Sequence, residues 1–455
     1  MGGGAADEGL RLEPAVLENR RESPPLRLLL RGHGFREMDS LPIPDELVAE
    51  IFLRLPAPAD VVRASAACVS LHRVAAGRSF LRRFRKLHAR PLLGFLDQSK
   101  DFYPAIAPHP SASAASVAAL AGDFSFSFLP APASDWVLED VRDGRVLLNR
   151  VTHHVRNSTD FYSGMVVCDP LHRRYLLLPP ITYDLTASFD LPAANTLRHL
   201  EMFLVPPGDG GEAAAAEETS FRVIWMARSE TRLVAFLFSS NTGQWGSITP
   251  HGCTDLAARF YLRQYVYGCF YWFWVTTDFN GLKLLVLDTK TMEFSFAELP
   301  PESNASCDLA MVEAGEGRPG LFVLADSDLN YFIRRNNGGS SSQWQMVNTI
   351  SLCSPAYLIC SWEKYLLLHR GQSPLLEAGC FTLDIETFQL ERVCTLDSTV
   401  GNLHAYSNFP PSLLSSPTIS SDVENKAEKM GEQACAASSS AYANAEGHAA
   451  DWRCW

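Results

Sequence analysis

Five segments of this 455-residue chain repeat one plan: an apolar strand, an Asp or Asn, a short polar turn, an aromatic and a second strand. They are VVCDPLHRRYLLLPP (166–180), VAFLFSSNTGQWGSI (234–248), LLVLDTKTMEFSFAELPP (284–301), YFIRRNNGGSSSQWQMV (331–347) and CFTLDIETFQLERVC (380–394). Aligned on Asp169, Asn241, Asp288, Asn337 and Asp384, they recur at steps of 72, 47, 49 and 47 residues, and the long first step carries the insert GDGGEAAAAEET (208–219). Asp or Asn at such a point closes a turn through its own side chain. The aromatics that follow, Tyr175, Trp245, Phe294, Trp344 and Phe388, are expected to pack between neighbouring units. A unit of this size cannot bury its apolar faces alone, so it must stack on copies of itself.

Each unit contains an earlier apolar run: GRVLLNRV, FRVIWMA, CFYWFWVTT, GLFVLAD and KYLLLHR. A period near fifty residues with several strands per repeat predicts the kelch-like blades of a β-propeller. Five blades are visible. A sixth can be assembled from PLLGFLD (91–97), FSFSFLP (124–130) and the C-terminal LHAYSNFPPSLL (403–414), closing the ring with both chain ends and removing exposed sheet edges. Residues 98–122 read as a flexible insertion, and residues 1–40 and 416–455 as disordered.

Ahead of the repeats the hydrophobic period changes. In LPIPDELVAEIFLRLP (41–56), Leu47, Ile51 and Leu55 fall at i, i+4 and i+8 beside Val48 and Phe52, one broad apolar stripe on a helix. Pro44 suits the first turn, Asp45 and Glu46 suit the positive end of the dipole, and Pro56 and Pro58 end the helix. Three more short helices are expected: one from about Asp60 to Cys68, one carrying Leu71 and Val74, and one carrying Phe80, Leu81, Phe84 and Leu87. Fifty residues bury too little surface for a satisfied core. The apolar excess predicts a module that completes itself against a second protein. The fold class is therefore α+β multidomain: a small helical domain (41–90) followed by a mainly antiparallel, propeller-like domain of five or six blades (91–415).

The helical residues resemble the F-box, the adaptor-binding module of cullin–RING ubiquitin ligases. The resemblance rests on Leu41-Pro42, Pro44-Asp45-Glu46-Leu47, Ile51, Leu55-Pro56, Val61-Val62-Arg63, the Ala64–Cys68 run and Ser79-Phe80-Leu81. The family usually places a tryptophan where this chain has Leu71. The resemblance implies that Leu41, Pro42, Leu47, Ile51, Leu55, Val62 and Leu71 face the adaptor. More weakly, the repeats resemble the propeller-like domain that follows the F-box in many plant F-box proteins. Together these imply a non-catalytic, target-recognition subunit of an SCF-type ligase. A non-degradative scaffold and a glycan- or small-ligand-binding propeller stay open as rivals, the last requiring convergent polar groups in the central channel.

Other signals narrow the field. The net charge is −12, although residues 41–90 carry nine Lys/Arg against four Asp/Glu, so the acidic remainder argues against nucleic-acid binding. The basic run RSFLRRFRKLHAR (78–90) has apolar residues at helical spacing and reads as the solvated face of a linking helix. Eleven cysteines without C-x-x-C or finger spacing read as free thiols of a cytoplasmic or nuclear protein. No run approaches the roughly 18 apolar residues of a membrane span. GEGRPG (315–320) matches G-x-G-x-x-G but opens no helix and reads as a loop; His153 and His154 would point to opposite faces of one strand. The aromatic block YVYGCFYWFWV (265–275) reads as core. No catalytic constellation, cofactor or metal site is assigned.

Overall fold

The computed structural model describes residues 43–56, 58–88, 90–150, 164–181, 185, 198–206, 220–228, 233–248, 259–275, 282–300, 303, 308–335, 343–352, 356–362, 365–370, 378–396 and 403–409. Six antiparallel sheets follow four short helices: α1 (Asp45–Leu53), α2 (Pro58–Ser65), α3 (Val69–Ala75) and α4 (Arg78–Leu87). Blade 1 is β3 (Trp136–Arg142), β4 (Arg145–Arg150), β5 (Met165–Asp169) and β6 (Arg174–Leu178). Blade 2 is β7 (Arg198–Val205), β8 (Arg222–Arg228), β9 (Leu233–Ser239) and β10 (Gln244–Ile248). Blade 3 is β11 (Arg259–Val266), β12 (Cys269–Val275), β13 (Leu282–Asp288) and β14 (Glu293–Glu298). Blade 4 is β15 (Leu309–Glu313), β16 (Pro319–Ala325), β17 (Asp328–Arg335) and β18 (Gln343–Ser351). Blade 5 is β19 (Ala356–Trp362), β20 (Tyr365–Arg370), β21 (Gly379–Asp384) and β22 (Leu390–Cys394).

Among the described residues the sixth blade has three strands, β2 (Phe102–Pro104), β1 (Leu92–Leu96) and β23 (His404–Ser407), with β1 paired to both of the others. The ring is six-bladed and the two ends of the propeller close it, with Gly94 opposite Tyr406. FSFSFLP is not the third strand. The Asp123 carboxylate just ahead of it accepts from the Ser125 N–H at 3.1 Å, and Phe126 turns at φ 56°, which bends the segment into a loop whose phenylalanines cap the core. Nor is 98–122 a featureless insertion, because it supplies β2 and the helix α5 (Ala112–Ala121), whose Ala115 and Ala118 are buried.

The second strand of each blade explains why the repeat is so apolar. In β8, Val223, Trp225 and Ala227 pack towards blade 1, while Ile224 and Met226 pack towards blade 3. In β12, Phe270, Trp272 and Trp274 face blade 2, while Tyr271 and Phe273 face blade 4. A strand sandwiched between two neighbours buries both faces and loses the usual polar alternation. Within the aromatic block, Val266 and Phe270 to Trp274 are core, while Tyr267 is exposed and Tyr265 lines the central channel.

The turn chemistry holds in three blades. Asp169 accepts from Leu171 and His172 N–H at 3.0 and 3.2 Å, Asp288 from Lys290 and Thr291 at 2.8 and 3.2 Å, and Asp384 from Glu386 and Thr387 at 2.9 and 3.0 Å. In blade 2 the register places Ser239, not Asn241, at the equivalent position, and Thr242 Oγ1 accepts from Gln244 N–H instead. Asn337 lies outside the described residues. Among the aromatics, the indole N–H groups of Trp245 and Trp344 donate to Pro179 and Glu298 carbonyls of the preceding blades, at 2.7 and 2.9 Å. Phe388 sits in the turn itself, at φ 56°, and meets Tyr331 of blade 4 edge-on at 6.2 Å.

The helical module has its own core of Val48, Phe52, Leu53, Val61, Val74, Phe80, Leu81 and Phe84, and one side chain from beyond the propeller's last strand, Phe409, completes it. Phe84 and Phe409 meet edge-on at 6.1 Å. Arg90 pairs with Asp143 of blade 1 at 2.9 Å, and the Asn408 N–H donates to the Pro91 carbonyl, so the linker is fastened to the ring closure.

Candidate functional site

Two places on the molecule combine features that packing alone does not require. The first is α1. A helix nine residues long turns through 100° per residue, so an apolar run as dense as DELVAEIFL covers more than the face it can bury. Val48, Phe52 and Leu53 go inward. Leu47 and Ile51 remain 56% and 54% exposed, and Ile43 lies exposed just ahead of the helix. Val69, at the start of α3, is exposed as well. Leu55, Val62 and Leu71 are half-buried against the helical core, so these three divide their surface between the module and solvent. Leu41 and Pro42 lie outside the described residues. On α4, Phe80, Leu81 and Phe84 are buried while Arg78, Arg82, Arg83 and Lys86 face solvent, as the helical spacing of the basic run requires. Leu87, expected among the apolar members, is exposed.

The second place is the central channel, about 870 Å³, lined by the innermost strands. Its polar centre was not legible from local sequence. The innermost strands of blades 1, 2, 3 and 5 each carry a β-bulge: between Leu138 and Asp140, His199 and Glu201, Tyr261 and Gln264, and Leu358 and Cys360. A bulge re-aims side chains that strict alternation would send to opposite faces. This is how the neighbours Glu139 and Asp140 both line the channel, and how Arg263, inside the third bulge, reaches across it.

The Arg263 guanidinium bridges two blades. Nη2 lies 2.7 Å from Asp140 Oδ1 and Nη1 lies 2.9 Å from Glu201 Oε2. Its plane is held over the Phe203 ring at 4.5 Å. Asp140 Oδ2 also accepts the Leu204 N–H at 2.8 Å, and the Trp272 indole N–H donates to Glu201. Such a largely buried network of charge-assisted hydrogen bonds ties the blades to one another. Beside it, burial pushes the Glu139 carboxyl up to about 7, against the opposing pull of its Asn149 hydrogen bond and of Arg263, and with help from Glu201 and Asp140. Burial also raises Glu201 and lowers His404, whose Nδ1 is 4.0 Å from Asp140.

The remaining sequence candidates resolve simply. GEGRPG makes the turn between β15 and β16, with Gly315 and Gly317 at positive φ, and its Pro319 and Gly320 begin β16. His153, His154, the 208–219 insert and the segments 1–40 and 416–455 lie outside the described residues. Among the described residues no group of His, Cys, Asp and Glu is arranged to hold a metal ion, no helix is long and apolar enough to cross a membrane, and the cysteines are unpaired, with Cys168, Cys380 and Cys394 buried.

No protein-family model matches the chain, and no curated protein matches its sequence. Solved structures resemble it at low identity. An exo-β-1,3-galactanase from Phanerochaete chrysosporium is 11% identical with a TM-score of 0.31, covering 60% of this chain and 66% of that one. TolB from Acinetobacter baumannii is 10% identical with a TM-score of 0.32, covering 58% and 55%. A prolyl endopeptidase is 13% identical with a TM-score of 0.32, covering 79% and 53%. The chain thus spans less than two thirds of each of these proteins, and at such scores none of them says anything about its activity. The chain itself is a six-bladed antiparallel β-propeller preceded by a small helical region.

Proposed function

We propose that the chain is the target-recognition subunit of an SCF-type cullin–RING ubiquitin ligase, its helical module docking the adaptor and its propeller presenting a target protein. One observation carries the reading: α1 buries Val48, Phe52 and Leu53 in its own module yet leaves Leu47 and Ile51 more than half exposed, with Ile43 beside them. Large apolar side chains grouped on the outside of a small module mark an interaction surface. The resemblance of these positions to the F-box names the partner as the adaptor. The chain's own contribution is then proximity. Holding the target near a loaded conjugating enzyme raises its effective concentration, and this chain makes and breaks no bond. It acts in the cytoplasm or nucleus, and the target contacts loops on one face of the ring, the acidic 208–219 insert being a candidate.

The test is affinity recovery of the adaptor with the wild-type chain and with the double variant Leu47→Asp/Ile51→Asp. Both side chains are already half in solvent, so the variant keeps its fold. Two carboxylates forced into an apolar interface cost several kcal/mol, so adaptor recovery is expected to vanish while propeller-bound partners are retained. Equal adaptor recovery from both chains refutes the docking model.

A further inference from the structure

The channel holds an arginine that makes no ion pair among the described residues. Asp140 and Glu201 are engaged by Arg263, and Asp143 by Arg90, while Glu313 accepts the Tyr267 N–H at 3.2 Å and forms no ion pair with Arg142. Glu139, with its carboxyl at about 7, is only partly charged near neutral pH. Arg142 also lines the channel, yet among the described residues it forms no ion pair, and its buried Nε has no hydrogen-bond partner. What positions it is stacking: its Cζ lies 4.9 Å from the Tyr265 ring centre and 5.6 Å from that of Phe270. Stacking orients the planar fork but supplies no opposite charge.

Blade 5 faces it with two more buried polar atoms that lack partners, Ser361 Oγ and His369 Nε2. Ser361 is the last residue but one of β19 and Arg142 the last of β3, and both line the channel. His369 is 6% exposed and burial lowers its pKa, so it is a neutral imidazole. It lies three residues along β20 from Leu366, the partner of Ser361, a rise of about 10 Å at roughly 3.3 Å per residue. Buried polar groups without partners are uncommon in folded proteins and costly to keep. Here three of them line one cavity of about 870 Å³, within the size range of metabolite sites.

We propose that the channel binds a small organic acid, its carboxylate held by the Arg142 guanidinium and the Ser361 hydroxyl, and a second polar group at its far end reaching His369. A carboxylate matches the guanidinium fork in shape. It also brings less negative charge than a phosphate dianion into a lining already rich in carboxylates. This inference stands apart from the docking proposal, because it concerns the channel alone and is read without any adaptor present.

The experiment titrates the full chain with 3-(4-hydroxyphenyl)propanoate, its carboxamide, inorganic phosphate and glucose, by calorimetry or ligand-observed NMR. Saturable binding is expected for the acid and not for the other three. Arg142→Met should weaken it about 10- to 100-fold, the loss of a charge-assisted pair, and Arg142→Lys should retain part of it. Circular dichroism and thermal unfolding check that the variants fold. If Arg142→Met does not fold, the comparison of acid with carboxamide on the wild-type chain still decides. Failure of the acid to bind at millimolar concentration overturns the proposal, as does equal binding of the carboxamide, preference for phosphate or glucose, or undiminished binding by a folded Arg142→Met.

Discussion

Replacing Glu139 by Gln removes one ionisable proton and little else, since the amide keeps the side chain's length and its hydrogen bond to Asn149. The native carboxyl titrates at about 7, against an ordinary value of 4.5. Folding therefore holds a proton that the unfolded chain releases, and stability falls as pH rises through that window. At about 1.4 kcal/mol per pH unit, the interval gives about 3 kcal/mol, a ceiling because the side chain is only partly buried. Below pH 4.5 the carboxyl is neutral in both states and wild type and Glu139→Gln should be equally stable. Between pH 5 and 7 the variant should gain steadily, and by pH 8 it should lead by up to about 3 kcal/mol. Urea unfolding of both chains at pH 5, 6, 7 and 8 gives the difference curve, in which other titrating groups, Glu201 and His404 among them, largely cancel. A difference that stays flat across this range, or a variant less stable at pH 8, refutes the account of a carboxylate desolvated in the channel.

Further outcomes test the packing. Phe409→Ala empties a fully buried position shared by the helical core and the ring closure. Deleting such a ring costs about 3–5 kcal/mol, so amide exchange should accelerate in α1 and α4 while blades 2 to 4 keep their protection; a uniform change across the chain counts against a separable module. Asp288→Ala leaves the Lys290 and Thr291 N–H groups without their acceptor. A loss of about 1–2 kcal/mol in denaturant unfolding is expected, and Asp288→Asn should recover most of it.

What the sequence made legible follows from which faces are buried. Second strands such as FRVIWMA announce themselves because neighbouring blades cover both sides, and the Asp-led turns because one carboxylate organises the backbone within three residues. The helices were legible from period alone, but the destination of each side chain was not: Leu47, Ile51 and Leu55 belong to one stripe in the sequence, and only the first two are more exposed than buried. The innermost strands left no local signal. WVLEDVR, RHLEMFLV and RFYLRQYV mix charges and apolar residues because one side faces a polar channel and a bulge breaks the alternation in each. Arg263 meets Asp140 from 123 residues away, a pairing no window of sequence contains. FSFSFLP shows the opposite error, a perfect two-residue alternation spent on a loop whose phenylalanines all reach the core from bent backbone.

The order in which the chain leaves the ribosome gives the last strand a second meaning. Residues 92–96 emerge early but must wait for residues 404–407 before their inner edge is covered. Phe409 comes two residues after that strand and fills the middle of the helical cluster made first. A nascent or truncated product therefore carries an unfinished helical head as well as an open ring.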